Sequence, residues 1–166
     1  PVIMMTYNPR YYQSFLECYG FGKAKDFVAY KLDIASYGPN LEHLPQQVSR
    51  VARLATERFH ITMRHVDMKN FMRDVEMIMP IHRAAWSKNW GAVPMTDAEY
   101  RHLAENLRAV IDPELTYLAF LDDKPIGCFI ALPDYCQVAR HLNGRLFPIG
   151  WLKYLWYKRK ITGMRV

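Results

Sequence analysis

The sequence has 166 residues, 51% of them hydrophobic and 23% charged, with a formal net charge of +6. That balance excludes a disordered chain. The length fits one domain, or one domain with a small addition, and no apolar run reaches the roughly 18 residues of a membrane-spanning helix.

The chain opens with a predicted strand over residues 1–7. Asn8-Pro9 then predicts a helix start, with Tyr12, Phe15, Leu16 and Tyr19 on one face and Gly20 as the stop. The alternation over residues 24–33 predicts a second strand. Gly38 and two prolines mark residues 34–46 as a linker. A helix follows over 46–58 and a strand over 60–67. Asp67 is placed to cap the next helix, whose stripe of Phe71, Val75, Ile78 and Met79 predicts a buried face. Pro80 predicts a kink or interruption before the helix resumes to Trp86. Residues 87–95 read as a loop.

Thr96-Asp97-Ala98-Glu99 is a capping box, and Tyr100, Leu103, Leu107, Val110 and Ile111 recur at helical spacing behind it. Asp112-Pro113 ends that helix. Two apolar runs, 115–121 and 125–133, flank a turn at 122–124 and predict an antiparallel hairpin. Pro133-Asp134 breaks its second strand. A short helix over 137–143, a helix over 148–160 and a strand over 161–166 complete a mixed α+β chain.

The charge is uneven. No acidic residue follows Asp134, whereas Arg140, Arg145, Lys153, Lys158, Arg159, Lys160 and Arg165 do. Such a stretch is either a solvated face or an attractor of phosphate, nucleic acid or anionic lipid. The helix over 148–160 adds Trp151, Tyr154, Leu155 and Trp156 to this charge. It either packs on a sheet with its charges in water or lies in a bilayer interface.

Familiar catalytic signatures are missing. The six histidines form no zinc motif. Cys18, Cys128 and Cys136 fit no metal module, and with no export signal they predict a reduced, cytoplasmic protein. There is no nucleophile elbow and no P-loop. No metal site is expected and no catalytic residue is identified. Asp134, beside Tyr135 at a strand end, has two readings: a functional carboxylate or a turn residue capping the next helix.

Two segments carry a resemblance. Residues 8–30, NPRYYQSFLECYGFGKAKDFVAY, resemble the closing strand-helix-strand of a GNAT superfamily N-acetyltransferase domain. Residues 61–166 resemble the opening of a second such domain. The runs AWSKNWG (85–91) and NGRLFPIGWLK (143–153) resemble a group of bacterial proteins built as tandem GNAT-like domains. The resemblance implies a mainly antiparallel sheet flanked by helices and incomplete. It divides the chain into the tail of a first domain (1–34), a linker and helix (35–58) and the front half of a second domain (59–166), an internal fragment.

The same resemblance implies acyl transfer to an amine acceptor from acetyl-CoA or another acyl-CoA in the intact parent. Met164, Arg165 and Val166 would meet the cofactor. Asn89, Trp90, Asp134 and Tyr135 would line the acceptor side. The [RQ]-x-x-G-x-[GA] loop that grips the diphosphate is missing, so the chain alone is expected to be inactive and to hold no cofactor tightly. Unpaired sheet edges predict self-association, or an odd pairing of residues 1–7 with the sheet. No nucleic acid enters this reading. The alternative is a non-enzymatic module that docks on an anionic membrane or nucleic-acid surface through the helix over 148–160.

Overall fold

A computed structural model describes residues 2–166. Pro1, the first residue of the expected opening strand, lies outside the described residues. The chain is a mixed α+β structure with two small antiparallel sheets. Its elements are α1 (Tyr11–Cys18), α2 (Gln46–Arg53), β1 (Thr62–His65), α3 (Phe71–Trp86), α4 (Asp97–Arg108), β2 (Thr116–Leu121), β3 (Lys124–Ile130), β4 (Leu132–Pro133), α5 (Cys136–Leu142), α6 (Gly150–Lys158) and β5 (Met164–Arg165). No helix among the described residues is long and apolar enough to cross a membrane.

One sheet has the order β1-β2-β3, and β4 pairs with β5 in the other. The hairpin β2–β3 turns through Asp122 and Asp123, both at positive φ (47° and 62°), as a primed two-residue turn requires. Its register slips at Ala119/Phe120. β3 and β4 are one strand course interrupted at Ala131, which is fully buried. The Ala131 amide still donates to the Leu115 carbonyl (3.2 Å). Beyond that residue the course exchanges β2 for β5 as its partner.

The core lies between the three-stranded sheet and α3 and α4. It gathers Val66, Phe71, Val75, Met79, Tyr100, Ala104 and Leu118. Phe71, Val75 and Met79 are the spaced stripe of α3, with Ile78 packed at its margin. At Pro80 the expected interruption does not occur: α3 is one continuous helix through it. The ring costs one backbone hydrogen bond, but the turns before it are held in the core by Phe71, Val75 and Met79, and the turn after it is tied to α4 by His82 on the Tyr100 hydroxyl and Arg83 on Asp97. The Thr96–Glu99 capping box forms in full. Asp67 does not cap α3, whose N-cap is Asn70. Its carboxylate instead holds the preceding turn, accepting from the Lys69 amide (2.9 Å) and Asn70 Nδ2 (2.7 Å).

The first third of the chain departs most from expectation. Residues 2–7 form no strand; a turn closes over 2–5, with the Met5 amide on the Val2 carbonyl (3.1 Å). Residues 24–33 form no strand and join no sheet. Alternation marks a chain able to pair; a strand forms only where a partner supplies the other half of the ladder. None does so among the described residues, and Phe27 and Tyr30 stay 75% and 87% exposed. α1 begins at Tyr11, two residues after the Asn8-Pro9 signal, with no side-chain cap. The linker carries a 3-10 turn at Ile34–Tyr37, and the helix beyond it ends in a π turn at Leu54–Arg58. No described residue before Val66 is buried.

One ion pair locks the core. Arg64 on β1 grips Asp74 on α3 through two hydrogen bonds (2.7 and 2.5 Å). The Asp67 amide also donates to Asp74 (2.8 Å), and the guanidinium lies over the Phe120 ring (5.1 Å). Burial pushes the Asp74 carboxyl up, but hydrogen bonds from Arg64 and the Asp67 amide outweigh it and hold the group below the usual carboxylate range. A carboxyl whose pKa is lower folded than unfolded adds stability above the unfolded value, and loses it as pH falls through the folded value. Asp74→Ala leaves the Asp67 amide without its acceptor and the half-exposed Arg64 without its partner, and we expect a loss of about 2 kcal/mol near neutral pH. Urea unfolding checks this: the gap between wild type and variant narrows below about pH 4.

Candidate functional site

Pro133 ends β4, and Asp134 turns the chain into α5. The Asp134 carboxylate is 7% exposed and fully employed. Its Oδ1 accepts from the Cys136 amide (3.2 Å), so it does serve the start of α5, and from the Ile3 amide (3.1 Å) across 131 residues of sequence. Gln137 Nε2 approaches Oδ2 at 3.5 Å. The Asp134 amide donates to the Gly163 carbonyl (2.9 Å). One residue therefore ties together β4, α5, the approach to β5 and the N-terminal segment. Arg165 closes the ring by donating to the Ile3 carbonyl (3.0 Å).

Beside this junction is an open cleft of about 260 Å³. Asp112 and Leu115 form one side, Pro133 and Tyr135 the end of β4, Lys158 the last turn of α6, and Ile161 to Met164 the lead into β5. Local sequence explains each wall. The Asp112 carboxylate accepts from the Glu114 amide (3.0 Å) and sets the turn before β2. Tyr135 stacks on Tyr154 (6.3 Å, 11°), with the Lys158 ammonium 5.8 Å from its ring. Gln137 Oε1 accepts from the Thr162 amide (3.2 Å) and fixes the segment before β5. A Cβ on Gly163 would lie 2.6 Å from Gln137 Nε2, so a side chain here would displace the end of Gln137.

Of the residues expected at a site, the structure brings Asp134, Tyr135, Met164 and Arg165 to one junction. Val166 follows them and is 74% exposed. Asn89 and Trp90 do not line this cleft; Trp90 packs on Phe27 (5.7 Å), with the Lys25 ammonium 5.9 Å from its ring. Sequence reasoning missed Asp112, Lys158, Thr162 and Gly163. The strand break at Pro133-Asp134 was the available signal, but the pairing that brings residues 161–164 beside it depends on long-range register.

The chemistry on offer is that of binding. The cleft presents the Lys158 ammonium, the Asp112 carboxylate, an aromatic face and strand-end backbone. No three His, Cys, Asp or Glu side chains among the described residues gather to hold a metal ion. Cys128, the nearest thing to a buried thiol, has its pKa pushed up by burial and is no activated nucleophile. His82 bonds to the Tyr100 hydroxyl between α3 and α4, and burial lowers its pKa; it belongs to the core.

No protein-family model matches the chain, and no solved structure matches it. Two curated proteins do. The chain is 33% identical over 165 residues to a protein named bacterial ceramide synthase from Caulobacter vibrioides (strain NA1000 / CB15N), covering 99% of this chain and 41% of that protein. It is 29% identical over 168 residues to protein YghO of Escherichia coli (strain K12), covering 99% and 40%. The chain thus spans about two fifths of the length of these relatives.

Asp134→Ala removes the acceptor for two backbone amides at once. We expect a stability loss of about 2 kcal/mol and faster hydrogen exchange at the Ile3 and Cys136 amides. Asp134→Asn, which keeps one acceptor oxygen, should lose less. Equal exchange in all three proteins would contradict the anchoring role.

Proposed function

We propose that the chain is one segment of an acyl-CoA-dependent N-acyltransferase that joins an acyl group to an amine, and that it does not turn over alone. The observation that carries this reading is the match, over nearly the whole chain, to a protein named a ceramide synthase. A ceramide is a long-chain amine bearing an N-acyl group, so a synthase of one makes an amide bond.

The order of elements supports it. A strand, two helices, an antiparallel hairpin and a further antiparallel strand at its end follow the opening of the acetyltransferase domain that the sequence resembles. The cleft fits the substrate class as well. Lys158 offers a positive charge to an anionic carrier. Coenzyme A, when bound, supplies the acyl group as an activated thioester.

Within this reading, Met164 to Val166 present backbone to the acyl group, where correctly aimed amides favour a developing oxyanion. Asp134 positions that strand end through Gly163, Tyr135 faces the acceptor side, and Lys158 faces the donor. No [RQ]-x-x-G-x-[GA] loop occurs between residues 2 and 166, so these residues hold the diphosphate loosely. The free cysteines accord with a cytoplasmic setting.

The test is amide formation by the full-length natural protein, with acyl-CoA donors from acetyl to long-chain and amine acceptors of matching range, reading released thiol and amide product. We expect product from the full-length protein and none from residues 1–166 alone. Lys158→Gln should raise the donor KM with little change in kcat. Failure of every donor and acceptor pair to yield an amide would overturn the reading.

A further inference from the structure

We propose that α6 and the segment before it form a docking surface for a bilayer containing anionic lipid. The argument starts from which side of α6 meets the protein. At about 100° per residue, Gly150, Tyr154 and Tyr157 share one side. Gly150 is buried, Tyr154 stacks on Tyr135, and Tyr157 stacks on His141 (3.9 Å). A Cβ on Gly150 would meet the Arg145 carbonyl oxygen at 2.1 Å, which confirms how closely this side is seated.

The opposite side faces outward, and it is apolar where a surface helix should be polar. Leu152, Leu155 and Trp156 are 51%, 53% and 64% exposed, and Phe147, just before the helix, is 81% exposed. Patches of this kind mark interaction sites. Lys153 and Lys160 flank the outward stripe on one edge, Lys158 lies toward the other, and Arg159 is in its middle. Among the described residues no ion pair involves a residue after Arg101, and no acidic residue follows Asp134. These cations therefore form no ion pair among the described residues; Lys160 instead lies over the Trp156 ring (4.8 Å). Arg145 and Lys153 also line an open hollow of about 470 Å³ at the start of the helix, beside the apolar face and suited to a phosphate headgroup.

An apolar stripe with cationic margins matches the interface of an anionic bilayer, where hydrocarbon lies below a layer of negative headgroups. Nucleic acid would satisfy the charge but leave Leu152 and Leu155 in water, because aliphatic side chains give bases no stacking platform. The surface rests on exposure and charge, and stands whether or not the chain takes part in acyl transfer.

Co-sedimentation with vesicles tests it. The 166-residue chain should bind phosphatidylcholine vesicles that contain phosphatidylglycerol, with tryptophan emission moving to shorter wavelength. Binding should weaken as salt rises and should be slight on phosphatidylcholine alone. The triple variant K153Q/R159Q/K160Q should lower partitioning about a hundred-fold. The variant L155S/W156S should lower it without altering the salt slope. All three positions of the first variant and both of the second are exposed, and circular dichroism checks that each variant is folded. Equal binding to neutral and anionic vesicles, no vesicle binding, preference for a DNA duplex, or a dimer that hides α6 from vesicles would each overturn the proposal. Soluble short-chain donors and acceptors keep the amide assay independent of this result.

Discussion

The Asp134 carboxylate is the point on which the arrangement of the second half of the chain depends. A buried carboxylate is costly unless its oxygens are hydrogen-bonded. This one is satisfied by partners from α5 and from residue 3, while its own amide reaches the approach to β5. The demand for partners thus draws three distant pieces of chain to the end of β4. The cleft beside Tyr135 and Lys158 is the space those pieces enclose.

The buried core and the candidate binding features are separated along the sequence. The buried apolar residues from Val66 to Leu118, with the Arg64–Asp74 pair among them, build a rigid base of β1, β2, β3, α3 and α4. The strand course from β3 to β4 carries that rigidity to Pro133. From there the chain becomes short-stranded, basic and partly exposed, and the candidate binding features gather in it. Sites at strand ends on a rigid scaffold are common because the scaffold fixes position while the loops remain free to vary.

Local chemistry was legible in the sequence wherever it decided the outcome. The Thr96–Glu99 capping box, the Asp122-Asp123 turn and the stripe of α3 depend on neighbours within a few residues. Residues 24–33 show the opposite case. Their alternation is that of a strand, yet a strand needs a partner, and sequence pattern does not contain one. Pro80 failed to break α3 because tertiary packing outweighed one lost hydrogen bond. At the candidate site, Asp134 and Tyr135 could be singled out from a strand break. The meeting of Asp134 with Ile3 spans 131 positions and leaves no local trace, and the same is true of Lys158 beside Tyr135.

The central claim is that an acyl thioester is received at the junction of β4 and β5. Backbone hydrogen exchange of the chain, with and without a saturating acyl-CoA, tests it most directly. The account predicts added protection confined to residues 132–135 and 161–166, with the core strands and residues 2–33 otherwise unchanged. Protection centred on the 87–95 loop or on α1, with none at the strand ends, would contradict it.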